Sequence, residues 1–258
     1  MDQIRKAISE RLFPHRHTAL LVAIVALLGV RPLISGAGAG SAMYSVMAML
    51  LLMVALYTIQ VDELQGDREV LLKQRKNRGV VGWVLAIIAI ILRLAELVSP
   101  NHQLATATSI VWLLFFIFVT LTELRAVLKQ RTVTSETISM SISVYLLMGL
   151  TWGLLFIMLF DFQPNAFSFG SAPVPTDQQV TPVLIYFSLT TLATVGYGDI
   201  TPVTLQARYA AVAEGIAGQF YLAILVARLV GVQMSQSASQ NAKNSSSDSE
   251  SKDSAECD

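Results

Sequence analysis

Charged residues are scarce in this sequence. Lysine, arginine, aspartate and glutamate make up 14% of the 258 residues, whereas a typical soluble domain contains about 25%. The 18 basic and 18 acidic side chains give a formal net charge of zero, which argues against a nucleic-acid partner. Together with 53% hydrophobic residues and a mean hydropathy of +0.57, the shortage of charge favours a protein that lies in a membrane.

Reactive side chains are also few. The one cysteine, Cys257, has no partner for an internal disulfide. The three histidines, His15, His17 and His102, are too scattered along the sequence to indicate a metal site. No nucleophile and base pairing, phosphate loop or cysteine cluster is evident, so the sequence favours neither an enzyme nor a bound cofactor.

Long apolar runs predict the membrane helices, because about 20 mostly apolar residues are needed to span a bilayer. A shorter apolar stretch, Pro182–Ala193, enters and returns, which is tolerated only where protein or water lines it. The predicted fold is therefore an all-α membrane protein with six transmembrane helices and a re-entrant pore helix between the fifth and the sixth. The six runs are Thr18–Ile34, Ala42–Val61, Val80–Val98, Thr106–Leu124, Ile138–Phe160 and Leu205–Gly231.

Basic residues occur in alternate connections and orient the predicted helices. The segment before the first run has four, Asp62–Gly79 has five and Arg125–Arg131 has three, whereas Ser35–Ser41, Ser99–Ala105 and Asp161–Gln179 have none. Basic connections stay on the cytoplasmic side of a membrane. Both termini are therefore predicted to be cytoplasmic, and the cell membrane is the expected location of this multi-pass protein.

The run Thr194-Val195-Gly196-Tyr197-Gly198 follows the re-entrant stretch. Gly196 and Gly198 reach left-handed backbone angles without steric penalty, and such angles let successive carbonyl groups turn the same way. Carbonyl oxygens in that arrangement replace the water shell of a dehydrated potassium ion, and the Thr194 hydroxyl adds a further oxygen layer. The side chains of Val195 and Tyr197 then point into the supporting protein. The alternative interpretation is a simple glycine-containing turn between two apolar helices.

The run TVGYG resembles the selectivity filter of the potassium channel superfamily. The resemblance extends from about Ser139 to Val232 and implies a six-helix, single-pore-loop subunit of the bacterial ion channel type. It also implies a homotetramer in the lipid bilayer, because one chain supplies one wall of the filter. Potassium is then the permeant ion and conduction is passive. The implied potassium-binding residues are Thr194, Val195, Gly196 and Tyr197.

Aromatic residues on the pore helix are candidates for filter support. The helix is predicted to begin at Thr181-Pro182, where threonine caps and proline fits the first turn. By resemblance, Tyr186 and Phe187 form an aromatic cuff around the filter and Asp199 packs behind it. The family often has tryptophan at the positions of the two aromatic residues. Packing against lipid or core is the alternative role for both.

The last run carries three candidates for gating: Arg208, Glu214 and Gly218. The resemblance places Gly218 at the inner-helix hinge, ten residues beyond a matching arginine at Arg208, and close helix packing at Gly215 and Gly218 is the equal alternative. A carboxylate inside a membrane helix is costly and usually faces protein or water. Glu214 either bonds behind the filter or pairs with Arg208 of the same or a neighbouring subunit.

A voltage-sensing arginine array is missing from the fourth run. One charge moved across the membrane yields only about 2.3 kcal/mol per 100 mV, so a sensor needs several. Thr106–Leu124 contains no lysine or arginine, and its only charge is Glu123. Arg93 and Glu96 in the third run share a helical face and predict an ion pair, with a sensing role as the alternative.

The predicted organisation has four parts. Residues 1–17 form a cytoplasmic segment, residues 18–131 a four-helix membrane domain and residues 138–232 the pore domain. Residues 233–258 form a cytoplasmic tail that is predicted to be disordered, since it has almost no apolar residues to bury. The rival functions are a less selective cation channel, a potassium transporter subunit and a non-conducting regulatory subunit.

Overall fold

Helices account for most of the computed structural model, which describes residues 16–33, 49, 53–55, 72–98, 102–130, 132–171 and 173–255. The predicted second run, Ala42–Val61, lies almost entirely outside the described residues, as does the segment before Arg16. The elements are α1 Arg16–Leu33, α2 Leu72–Val98, α3 His102–Lys129, α4 Ser135–Phe162, β1 Phe167–Ser168, α5 Asp177–Leu192, β2 Thr201–Pro202 and α6 Leu205–Ala255.

Three helices in the described part of the chain are long and apolar enough to cross a membrane. They are Gln103–Lys129, Ser135–Phe162 and Leu205–Ser235. Two further apolar helices, His17–Gly29 and Gln179–Leu192, are shorter. The prediction of an all-α membrane protein is thereby confirmed, while the count of six crossings and the re-entrant course of α5 stay predictions.

Helix α4 is the centre of the packing, because it contacts α1, α3, α5 and α6. Its first turn is fixed by Thr134, whose side chain accepts from the Thr137 N–H at 3.3 Å, and reciprocally the Thr134 N–H donates to Thr137 Oγ1 at 3.4 Å. Further along the helix, Phe156 is completely buried. Its ring contacts Phe167 of β1 and Phe187 of α5, so one core joins α4 to the segments on either side of the loop before α5.

A short antiparallel ribbon was not predicted from the sequence. Strand β1 pairs with β2 so that Phe167 faces Pro202 and Ser168 faces Thr201, and the Val203 N–H donates to the Ala166 carbonyl at 2.7 Å. Two residues per strand are too few to show the alternation that identifies a strand in a sequence. The ribbon ties the chain before α5 to the chain that precedes α6.

Buried polar groups join the N-terminal half of α1 to α3 and α4. The backbone N–H of His17 donates to Glu136 at 3.3 Å, and the Thr18 hydroxyl donates to the same carboxylate at 3.2 Å. The imidazole of His17 lies 3.5 Å from the Glu123 carboxylate, and both side chains are buried. These contacts fix α1 against the ends of two longer helices.

The ion pair predicted within the third apolar run lies inside α2. Arg93 Nη1 is 2.8 Å from Glu96 Oε2, three residues further along the same helix. The predicted pair is therefore present within a single helix.

Helix α6 extends beyond the predicted end of the last run near Gly231. It continues through Ala255, so the structure differs from the prediction of disorder after Ser235. Serine and asparagine are less favourable than alanine in a helix by only about 0.7 kcal/mol or less per residue. Extension of an existing helix also avoids the costly nucleation step. The composition of a segment does not show whether a helix precedes it.

Candidate functional site

Helix α5, the predicted pore helix, begins earlier than the sequence predicts. Its N-cap is Thr176. The Thr176 backbone N–H donates to the Gln179 side-chain oxygen at 3.2 Å, as in a capping box. The predicted start at Thr181-Pro182 is therefore wrong, and Pro182 lies inside the helix. A proline at this position removes one backbone hydrogen bond, to the carbonyl of Gln178, and the cap at Thr176 fixes the first turn before that position is reached.

The backbone after α5 is left-handed at every second residue. The φ angle is +57° at Thr194, +53° at Gly196 and +79° at Gly198, while Val195 and Tyr197 between them have negative φ. Backbone that alternates in hand gathers like peptide groups on one side of the chain. The left-handed angles at Gly196 and Gly198 are those that the predicted filter requires.

Thr194 adopts a conformation that sequence reasoning missed. Left-handed backbone is a genuine outlier for a β-branched residue, and it costs about 1–2 kcal/mol. The turn after α5 fixes this backbone, because the Thr194 N–H donates to Thr191 O at 3.0 Å and the Val195 N–H donates to Thr190 O at 2.8 Å. Strain of this kind is retained where the surrounding structure over-determines it, commonly at functional sites.

Side chains of the run are exposed in a single subunit. Val195 is 51% exposed and Tyr197 is 72% exposed. Neither side chain is enclosed by protein of the same chain, although the sequence predicts that both point into supporting protein.

Tyr186 and Asp199 lie together beside the run, as the resemblance implies. The Tyr186 ring stacks on the Tyr197 ring at a centroid distance of 6.4 Å and an interplanar angle of 4°. The Tyr186 hydroxyl also interacts with the Asp199 carboxylate. Helix α5 is thereby linked to the C-terminal end of the run through one aromatic ring.

Phe187 lies elsewhere than predicted. It is buried, and its ring contacts Phe156 at 5.1 Å and Phe167 at 5.3 Å. Adjacent residues on a helix point in different directions, about 100° apart, so Tyr186 and Phe187 do not face the same neighbour. Within the subunit Phe187 anchors α5 to the core, which corresponds to the alternative role weighed for it.

Two glycines of α4 let the pore helix approach closely, and sequence reasoning missed them. A Cβ atom at Gly149 would lie 2.6 Å from Leu189 Cδ2, and one at Gly153 would lie 3.1 Å from Ile185 Cα. The signal was present as a G-x-x-x-G spacing within an apolar run, which marks close helix packing in membranes. The close contact at these two glycines sets the distance between α5 and α4.

Gly218 of α6 lies against the C-terminal end of the pore helix. A Cβ atom there would be 2.8 Å from Leu192 Cδ1 and 2.9 Å from Leu192 O, whereas at Gly215 nothing lies within 4 Å. The same Leu192 carbonyl accepts a hydrogen bond from the Tyr145 hydroxyl at 3.1 Å. Close packing thus accounts for a glycine at position 218, and its predicted role as a hinge stays a prediction.

Glu214 lies behind the pore helix and is completely buried. Its Oε1 atom is 2.5 Å from the Ser188 hydroxyl of α5. Arg208 is exposed, and its Nε atom donates to the Pro202 carbonyl at 3.3 Å. Within the subunit, Glu214 therefore takes the first of the two predicted arrangements. No sequence signal pointed to Ser188 as its partner.

The middle of α6 contacts α4 and the junction between α3 and α4. Arg228 Nη2 donates to the Gln130 carbonyl at 2.9 Å, and the Tyr221 hydroxyl donates to the Ser141 carbonyl at 2.7 Å. The Tyr221 ring stacks on Tyr145 at 6.1 Å. These contacts connect the helix that follows the run to the N-terminal helices.

One comparison with known proteins bears on this region. A family model described as "Ion channel" matches residues 144–234, which is about a third of the chain and includes α5, the run after it and the membrane part of α6. No curated protein and no solved structure matches the chain. The chain is thus similar to ion channels over residues 144–234, which contain the candidate site. The match supports an ion channel in a membrane protein, and it suggests transport rather than catalysis.

Proposed function

We propose that this chain is a subunit of a potassium-selective channel in which four copies surround one ion path. The observation that carries the proposal is the alternating sign of φ at Thr194, Gly196 and Gly198, directly after a short apolar helix. A regular strand or helix has negative φ throughout and does not alternate in this way. The ion-channel match over residues 144–234 supports the same proposal.

Backbone oxygens are the potassium ligands in this proposal. A potassium ion gives up its water shell only where protein oxygens replace it. The carbonyl groups of Thr194, Val195, Gly196 and Tyr197 supply these oxygens, together with the Thr194 hydroxyl. The C-terminal end of α5 carries a partial negative charge, which favours a cation below the filter.

Neighbouring copies complete the filter in this proposal. The side chains of Val195 and Tyr197 are exposed in one subunit, and α6 exposes large apolar side chains such as Tyr209, Ile216 and Phe220. Apolar surface of this extent is covered by a partner or by lipid. A closed ring of four copies, each with six crossings and cytoplasmic termini, covers the filter-facing part and leaves the rest to the bilayer.

Potassium flux into liposomes tests the proposal, with Gly196→Ala as the disabling variant. Alanine in left-handed backbone costs about 1–2 kcal/mol, which lowers the population of the native filter backbone about tenfold. Gly170→Ala is the matched control. Gly170 also has a left-handed φ of +60°, and a Cβ atom there makes only an ordinary contact of 3.5 Å with Asp199 O.

The wild type and Gly170→Ala should both conduct potassium. The flux through Gly196→Ala should be lower by a factor of about ten or more. Permeability to potassium should exceed permeability to sodium in bi-ionic reversal potentials. Equal permeability of the two ions would favour the less selective cation channel. Equal flux in Gly196→Ala and Gly170→Ala would refute the assignment of the filter.

A further inference from the structure

The Ser188 hydroxyl makes two short contacts with oxygen atoms of other helices. Its hydroxyl oxygen is 2.6 Å from the Gly149 carbonyl oxygen of α4 and 2.5 Å from Glu214 Oε1 of α6. Ser188 itself is completely buried, as is Glu214. Helices α4, α5 and α6 therefore meet at one hydroxyl group.

The number of hydrogens determines the protonation state at this point. A serine hydroxyl has one hydrogen and two acceptor lone pairs. If the hydroxyl donates to the Gly149 carbonyl, a carboxylate at Glu214 has no hydrogen to share and faces the Ser188 oxygen with like partial charge. A protonated Glu214 instead donates to the Ser188 oxygen, so that each of the two contacts contains one hydrogen.

The surroundings of Glu214 favour the neutral acid. Its second oxygen, Oε2, is buried without a hydrogen-bond partner, and an unpaired buried charge is far more costly than an unpaired neutral group. Tyr145 of α4 is the titratable group that faces it. On α5 the titratable residues are Asp177, the first residue of the helix, and Tyr186, whose side chain faces Asp199. On α6 itself, Arg208 donates to a backbone carbonyl instead.

We propose that Glu214 is a neutral carboxylic acid that donates to Ser188 and thereby positions the pore helix for the filter. The chain of bonds runs from Glu214 through Ser188 to the Gly149 carbonyl and joins the inner helix α6 to α5 and α4. This inference rests on the proposed channel function for its effect on flux. The protonation state is independent of that function, and it is measured separately.

Infrared spectroscopy of the purified full chain in lipid at neutral pH tests the protonation state directly. The wild type should have a carbonyl stretch of a protonated carboxyl group that is missing from Glu214→Gln. An unchanged spectrum in this variant would overturn the proposal whether or not the protein conducts. A carboxylate paired with Arg208 of a neighbouring copy would also give this unchanged spectrum.

Potassium flux and selectivity test the positioning role. Glutamine keeps a neutral donor at the same place, so Glu214→Gln should retain flux and potassium selectivity within about twofold of the wild type. Glu214→Ala leaves the Ser188 oxygen without its donor and should lower flux or selectivity about tenfold. Ser188→Ala should resemble Glu214→Ala, and Ser188→Thr, which keeps the hydroxyl, should lose less.

The pH profile separates positioning from simple packing. As the pH is raised, Glu214 of the wild type ionises and loses its donated hydrogen bond, so flux should fall on the alkaline side. Glu214→Gln has no such proton and should lack this part of the profile. Identical profiles for the two proteins would contradict the inference, as would a loss of flux in Glu214→Gln equal to that in Glu214→Ala. Absence of flux from the wild type itself would instead refute the channel proposal.

Discussion

Replacing Gly218 with alanine adds one methyl group where the inner helix α6 meets the end of the pore helix α5. The new Cβ atom would lie 2.8 Å from Leu192 Cδ1 and 2.9 Å from Leu192 O. The carbonyl is part of the backbone and is held by the Tyr145 hydroxyl, so it cannot rotate away as a side chain does. Overpacking of this kind costs about 1–3 kcal/mol.

Helix propensity acts in the opposite direction. Alanine is more favourable than glycine inside a helix by about 1 kcal/mol, so Gly218→Ala should be destabilising by about 1–2 kcal/mol net, at the upper part of the overpacking range. Gly231→Ala on the same helix is the matched control, because nothing lies within 4 Å of a Cβ atom there. The control gains the propensity term without the clash.

Thermal unfolding of the purified protein, followed by the fluorescence of its three tryptophans, measures this difference. The two variants should differ by about 2–3 kcal/mol, which corresponds to about 4–12 °C for a chain of this size. Gly218→Ala should melt below the wild type and Gly231→Ala at or above it. Equal melting temperatures would refute the close-packing argument. If only flux changed in Gly218→Ala, the hinge interpretation would be favoured.

Two further substitutions test contacts around the filter and the inner helix. Tyr186→Phe keeps the ring but removes the hydroxyl beside Asp199. Added potassium should therefore stabilise this variant by about 1 kcal/mol less than the wild type, which a smaller rise in melting temperature would report. An unchanged rise would argue against filter support. Arg228→Met removes the donor to the Gln130 carbonyl and should lower the melting temperature by about 2–4 °C. Arg228→Lys keeps a donor and should lower it less. Equal losses in the two variants would mean that the hydrogen bond contributes nothing.

Features with short-range causes were predictable from the sequence. The apolar runs that became α3, α4 and α6 follow from the length that a membrane requires. Gly196 and Gly198 lie in left-handed backbone because glycine carries no penalty there. In both cases the residue type and its local spacing contain the physical reason, so no knowledge of the tertiary structure was needed.

Features set by tertiary packing were not predictable. Thr194 takes a left-handed angle that its own side chain disfavours, and the contact of Glu214 with Ser188 joins residues on two different helices. The resemblance assigned Phe187 to the filter together with Tyr186, but the neighbour that each side chain of a helix contacts depends on how the helix packs. Pro182 fits the first turn of a helix, but the helix begins five residues earlier at Asp177, after its cap at Thr176.

The arrangement of helices restricts how the N-terminal part of the chain influences the filter. Helix α4 receives the polar contacts of α1 through Glu136, and through Gly149 and Gly153 it sets the distance to α5. A displacement of α1 or α3 therefore reaches the pore helix through α4, or reaches α6 through the hydrogen bond from Arg228. Because α3 has no basic residue within its apolar run, membrane voltage has little charge to act on there. A stimulus that changes the packing of α1 and α3 against α4 fits these contacts better than one that moves charge across the bilayer.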